Sequence, residues 1–526
     1  MSKLTFYHDG RHPLIYMYET PMAAEEFEMA VDELVGTPVD TLALCLGDGR
    51  TLLHDSDVGE LWGHNIDRWP HLVFRRAHHN ARQLIESGID PLRLLCDRAH
   101  AGGLKIVPVL LVQQGRGPRE TDVRCSNFRF DNAHLEIGAA GDVDPESVAA
   151  TCLDFAHEEV REERFAIVEE ALRRYPVDGF ELQLNYFPHY FHPSRAEAGR
   201  ELMTAWIQRV HDTLKTSGAD RGLSVRIPCD LDACFDLGLD VASWMKDGLV
   251  DTVIGQTYSG PELVDCTADY RGLVAAGHES DVHVMATLQS LVDSDRLGQA
   301  SIEITRACAS NYWAQGVDGI YLGHWFGHWP YGADFYQQLR EIPHPEVMAP
   351  RDKHYYIPTA TGRFPEPQGE PGVERQLPAA LPPGRPVDVE LPIADDLPRW
   401  QERGRVHDVI LRLRLTNITE SDRLDFQLNG LPLPADCLRR IDETYRMQAP
   451  RFRAGSAYWF VFRPPAALWP RQGANRVTVR LLERADDVIP EISLRDVELE
   501  IKYLMGKAYH RGYVDPDLGQ WSCDNT

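Results

Sequence analysis

The residues with chemistry to offer gather where short apolar runs end. In DGFELQLN, Asp178 to Asn185, the side chains alternate, with Phe180, Leu182 and Leu184 on one face and Glu181, Gln183 and Asn185 on the other. A polar row of this kind on one strand face is either a hydrogen-bonded plug or the wall of a cavity. The stretch LSVRIPCD obeys the same rule, so Ser224 and Arg226 share a side opposite Val225 and Ile227. A guanidinium turned inward needs an acid, and Glu181 is the nearest candidate. Glu181 therefore reads more as a permanently ionised partner than as a proton donor. Asp230, just past the second stretch, is better placed to transfer a proton, although Asp232 and Asp236 follow closely and suit helix caps.

Other candidates stand at similar run ends. Asp9 in YHDG and Asp48 in LGDGR each precede a glycine and read equally as turn formers or as carboxylates on a rim. Gln113 and Gln114, Tyr186, Tyr258 and Gln289 end or follow further runs. The closing segment GHWFGHWPYG supplies His324, Trp325, His328 and Trp329, and PHYFHP supplies His189 and His192. Aromatic rings are platforms for the apolar faces of sugars, while His and Gln give directional hydrogen bonds. No HExxH-like spacing accompanies the histidines, so they read as pocket lining, and neither metal nor cofactor is expected.

Positioning these groups requires a scaffold that brings run ends together. Eight β-rich runs alternate with amphipathic helical stretches up to about residue 345: KLTFYH (or the neighbouring PLIYMYE), DTLALCLG, LKIVPVLLV, DGFELQLN, LSVRIPC, DTVIGQT, VHVMATLQ and DGIYLGHW. The pattern predicts a (β/α)8 TIM barrel over 1–345, whose active sites form at the C-terminal ends of the strands. Long loops after the second and third runs would lie over that face. Residues 346–386 read as a Pro/Gly-rich connector. Over 387–526, VHDVILRLRL, RLDFQLNG, SAYWFVFRP, NRVTVRLLE and VELEIKYL alternate with a period of two, which predicts a C-terminal antiparallel β-sandwich of accessory role.

Composition bounds the function. The chain has 526 residues, 43% hydrophobic and 25% charged, as expected of a soluble globular protein with large cores. Its net charge of −26 would repel phosphate backbones and anionic membranes, so nucleic acid and membrane are not expected partners. The same field argues against a highly anionic polymer substrate, although a local basic pocket could override that. The first residues lack the apolar core of a secretory signal, and the ten cysteines are scattered without a CxxC pair, which together suggest a cytoplasmic setting. A sandwich edge offers a contact for a second copy of the chain.

The stretch LDFAHEEVREERFAIVEEALRRYPVDGFELQLNYFP resembles the family-10-like glycosyl hydrolase proteins, bacterial barrels in which a helix of this type leads into a fourth strand of the type DG..LD..R.P. DPLRLLCDRAHAGGLKIVPVLLV and NYWAQGVDGIYLGHW fit the same pattern, and the likeness covers most of residues 1–345. It implies a glycosidase-like barrel. Asp178 and Gly179 match the family's DG, and Glu181 its first polar strand position. The chain departs at Gln183, where the family has its strand-end Asp, and at Tyr186, where it has Arg. An amide can be neither acid nor carboxylate nucleophile.

The expectation is a glycoside hydrolase acting on an oligosaccharide or glycoside, with Asp230, Asp48 and Glu181 as candidate catalytic groups. Two carboxylates about 5 Å apart would mean retention, and about 6.5–9.5 Å inversion. Candidate substrate contacts are Asp9, Gln113, Gln183, Asn185, Tyr186, Arg226, Tyr258, Gln289, His324 and Trp325. The alternatives are a non-catalytic carbohydrate-binding barrel, marked by Gln183, and a lyase using His324 or Tyr186 as base.

Overall fold

The computed structural model describes residues 2–113, 117–257, 263–292, 294, 297–359, 375–443, 457–509, 511, 514–515 and 519–520. The eight apolar runs become parallel strands: β1 (Leu4–His8), β2 (Thr41–Asp48), β3 (Lys105–Leu111), β4 (Gly179–Gln183), β5 (Gly222–Pro228), β6 (Thr252–Gln256), β7 (His283–Leu288) and β8 (Gly319–Leu322). Each pairs with the next, and β1 lies between β2 and β8, with Thr5 opposite both Thr41 and Tyr321. The sheet thus closes into a (β/α)8 barrel. Of the two candidates for the first strand, LTFYH forms it. PLIYMYE does not, because Arg11–Ile15 folds into a kinked helical turn directly after β1.

Strand parity creates two apolar layers. Phe180, Leu182 and Leu184 face outward and are fully buried in the large core shared with the helices. Tyr7, Ala43, Cys45, Val109, Leu111, Ile254, Met285 and Tyr321 form a separate cluster inside the barrel. The helix Glu158–Arg174 that leads into β4 opens with Glu158 and Glu159 and closes with Arg173 and Arg174, charges that oppose the helix dipole at both ends.

A two-sheet β-sandwich follows the barrel. One sheet runs in the order β9 (Lys353–Tyr356), β16 (Ser493–Tyr503), β11 (Val406–Thr416), β14 (Ala457–Phe462) and β13 (Leu438–Glu443). The other runs β10 (Pro386–Glu390), β15 (Arg476–Glu483) and β12 (Arg423–Leu428). Phe426 of one sheet packs on Phe460 and Phe462 of the other, with ring centroids 4.8 and 5.2 Å apart. The strand β9 falls inside the span that reads as a connector. Four residues are too few to show a period, and their partners in β16 lie far along the chain. β13 also escapes the sequence pattern, because it is an edge strand with no buried face. The helix Ile302–Ala314 joins the two parts. Its Asn311 Nδ2 donates to the carbonyls of Cys266 on the barrel side and Pro392 on the sandwich side, at 2.8 and 3.0 Å. No helix among the described residues is long and apolar enough to cross a membrane.

Candidate functional site

The C-terminal mouth of the barrel encloses a cavity of about 350 Å3. Its floor is an ion pair that the strand parity required. Glu181 Oε1 accepts from Arg226 Nε at 2.8 Å and Nη2 at 2.6 Å, while Glu181 Oε2 accepts from the Tyr321 hydroxyl at 2.8 Å. The guanidinium lies between the rings of Tyr7 and Tyr321, 4.4 and 4.6 Å from their centroids. Burial disfavours the Arg226 charge, but Glu181 outweighs it and raises the pKa further above the ordinary range. Arg226 reaches the cavity wall, whereas Glu181 lies below it and is saturated by its partners. Glu181 is therefore a structural counter-ion. A catalytic role for it does not fit this geometry.

The wall beside β1 carries the groups best disposed for proton transfer. Asp9 Oδ1 accepts from the backbone N–H groups of Arg11 and His12, at 2.8 and 2.7 Å, and its Oδ2 meets His12 Nδ1 at 2.8 Å. Gly10 makes the turn tight, with φ of +73° and a backbone so close that a Cβ would lie 3.0 Å from the Cys45 carbonyl. Burial alone would raise the Asp9 pKa. The His12 hydrogen bond and the Arg11 charge overcome it and hold the carboxyl well below the usual range. Asp9 is thus a fixed carboxylate that orients an imidazole. Its turn and cavity readings are both realised, since the same side chain does both. His12 is half exposed at its side chain and sits against Tyr16 and Phe326, with ring centroids at 4.5 and 5.8 Å.

Asp48, at the end of β2, is buried behind this wall. Its Oδ2 accepts from Arg11 Nη1 at 2.7 Å and from Trp62 Nε1 at 3.1 Å. One guanidinium, Arg11, thus joins Asp48 to Asp9. Asp48 is not among the groups that line the cavity, and its expected catalytic role gives way to that of a counter-ion.

The facing wall comes from β4 and from the loop after β3. Gln183 lines the cavity, and its buried Oε1 has no hydrogen-bond partner among the described residues. Asn185, expected as a substrate contact, is buried behind this wall and does not line the cavity, with neither side-chain atom hydrogen-bonded to the described residues. The Tyr186 hydroxyl accepts from Arg124 Nη1 at 3.2 Å. Burial raises the Tyr186 pKa and the Arg124 charge partly offsets that. Gln256, Ser290, His324 and Phe326 also line the cavity. His324 stands edge-on to Tyr7 at 5.1 Å, and its backbone N–H donates to Gln289 Oε1 at 2.9 Å.

Several expected contacts belong elsewhere. Asp230 is exposed and caps the helix Leu231–Asp236, accepting from the Ala233 N–H at 2.7 Å. The cap explains why an aspartate ends this run, and Asp230 does not line the cavity. Gln113 spends its amide on the Leu153 and His189 carbonyls and the Leu153 N–H, which fixes a loop and leaves no atom for a substrate. Gln289 acts on the backbone of His324 rather than in the cavity. Trp325 is fully buried, donates to the Leu288 carbonyl at 2.9 Å and stacks on His328, so the ring presented to the cavity is its neighbour Phe326. Gln114 and Tyr258 lie outside the described residues.

Arg11, His12, Tyr16, Arg124, Gln256, Ser290 and Phe326 line the cavity without having been singled out in the sequence. For His12 a signal was available. An Asp three residues before a His, across a glycine turn, can bond both its backbone and its ring. Arg124 gave none, since it lies in a long insertion without periodicity. Among the described residues no group of three or more His, Cys, Asp or Glu side chains could hold a metal ion.

No family model matches the chain, and no curated protein matches it in sequence. Solved structures similar to it include α-L-fucosidase isoenzyme 2 from Paenibacillus thiaminolyticus, with 12% identity and a TM-score of 0.43 over 66% of this chain and 50% of that one. The PgaB (BpsB) glycoside hydrolase domain from Bordetella bronchiseptica is 11% identical, with a TM-score of 0.40 over 66% of this chain and 97% of that one. The GH36 α-galactosidase AgaA from Geobacillus stearothermophilus is 11% identical, with a TM-score of 0.36 over 95% of this chain and 55% of that one. The chain spans only about half the length of the first and third. Likeness of this degree says nothing about its reaction.

Proposed function

We propose that the chain is a carbohydrate-active enzyme of the glycoside hydrolase kind, cleaving a saccharide held in the C-terminal mouth of its barrel. The observation that carries this reading is the Asp9–His12 pair on the cavity wall. A fixed carboxylate on Nδ1 leaves Nε2 as the ring nitrogen free to exchange a proton. In hydrolysis, His12 Nε2 takes a proton from water as the water oxygen bonds to the anomeric carbon. The bond from that carbon to the glycosidic oxygen breaks, and the departing oxygen takes a proton from Tyr186 or His324 across the cavity. Phe326 offers an apolar face for the sugar ring, and Gln183 an acceptor for one of its hydroxyls. The likeness of the fourth strand–helix unit to the family-10-like glycosyl hydrolase proteins supports the same reading. Among the described residues no pair of unengaged carboxylates, as used by most glycosidases, lines this cavity, and the reaction proposed here departs from that scheme.

One observation favours a second reading, β-elimination. The Arg124–Tyr186 hydrogen bond places a phenol beside a guanidinium, as needed to take a proton next to a sugar carboxylate. Ionised beside Arg124, the Tyr186 oxygen would accept the α-proton, a carbon–carbon double bond would form, and the neighbouring carbon–oxygen bond would break. The departing oxygen would take the proton from the Tyr186 hydroxyl so formed, which restores the phenolate. Incubating the protein with a panel of oligosaccharides and glycosides decides between them. Hydrolysis yields saturated products that have gained one water. Elimination yields ultraviolet-absorbing unsaturated products of unchanged summed mass. No cleavage across neutral and acidic substrates would leave only a binding barrel.

A further inference from the structure

The cavity is rich in guanidinium groups in a strongly acidic protein. Among the described residues, Arg11, Arg124 and Arg226 line it with two imidazoles and the carboxylate Asp9, while the whole chain carries −26. The three arginines are not equivalent. Arg11 is paired with Asp48 at 2.7 Å and Arg226 with Glu181 at 2.6 Å. Arg124 has no carboxylate within 4.0 Å among the described residues, and its side-chain partner is the Tyr186 hydroxyl. Yet it is firmly mounted, since Asp122 Oδ1 accepts from its N–H at 2.9 Å and its carbonyl accepts from Thr51 Oγ1 at 3.0 Å. This half-buried guanidinium facing the cavity lacks, among the described residues, the acidic partner that its two neighbours have.

We propose that Arg124 receives an anionic substituent of the saccharide, a carboxylate or sulfate group, so that the cavity selects acidic over neutral sugars. This rests on the saccharide reading above and names its substrate class. The planar fork of Arg124 can donate two parallel hydrogen bonds to either anion. Tyr186 and Gln183 on the same wall would then meet the neighbouring hydroxyls.

Ligand-observed NMR titration of the full chain tests this with D-glucose, D-glucuronate, D-glucose 6-sulfate and inorganic sulfate. At least one charged sugar should bind roughly tenfold or more tightly than glucose, with a preference that weakens as salt is raised. The stronger of the two identifies the anion. Arg124→Gln should abolish the preference, and Arg124→Lys, which keeps the charge but not the fork, should retain part of it. Glucose binding as tightly as both charged sugars would overturn the inference and leave the saccharide reading intact. So would a preference that survives Arg124→Gln, or inorganic sulfate binding as tightly as the charged sugars. Binding of no sugar at all would overturn both.

Discussion

Arg226 and Glu181 form a closed ion pair across β4 and β5, in which both Nε and Nη2 of the arginine donate to one carboxylate oxygen while Tyr321 donates to the other. Both side chains are about 1% exposed. The pair separates the cavity at the mouth from the lower half of the barrel. It also removes from chemistry the one carboxylate that β4 contributes.

Breaking this pair on one side strands a buried charge. Arg226→Met is expected to cost about 3–5 kcal/mol, read as a lowered denaturation midpoint. The double replacement Arg226→Met with Glu181→Leu should recover much of the loss, because no orphan charge remains. Equal losses in the single and double variants would contradict the pairing.

Asp230 should behave as a cap and nothing more. Asp230→Ala removes the acceptor for the Ala233 N–H and is expected to cost about 1 kcal/mol of stability, while Asp230→Asn keeps most of it. Turnover by either folded variant should match that of the unaltered protein. A large rate loss in Asp230→Asn would restore it as a catalytic group.

Two buried histidines set the acid limit of the fold. Burial lowers the pKa of His8 and of His54 to about 4 each, from 6.5. Both are therefore neutral in the native state where the unfolded chain would already be protonated. Stability should fall as pH drops from about 6.5 toward about 4, by roughly 1.4 kcal/mol per unit for each group. His54→Gln should remove one such contribution, which chemical denaturation at several pH values between these limits would detect. An unchanged slope would show that His54 titrates normally.

The barrel and most of the sandwich were legible because strand parity is a short-range rule. Glu181, Gln183 and Arg226 point inward because Phe180, Leu182, Val225 and Ile227 must face the helices. The site was less legible because the same residue types serve local structure. Asp230 ends its run as an aspartate for the helix that follows. Gln113 and Trp325 end theirs to fasten loops, and nothing in their spacing separates that role from binding. Arg124 reaches the mouth through an insertion whose path depends on contacts such as Thr51 with its carbonyl, made 73 residues apart. Edge strand β13 and the four-residue β9 escaped notice for the related reason that their pairing partners, not their own patterns, define them.

The most direct test of the account is the rate of saccharide cleavage by His12→Asn relative to the unaltered protein. The ring of His12 is half exposed, so the variant should fold, and the account predicts a fall in kcat of about 10²–10⁴ with a small change in KM. Cleavage by His12→Asn at the unaltered rate would contradict the assignment of the Asp9–His12 pair as the reacting centre.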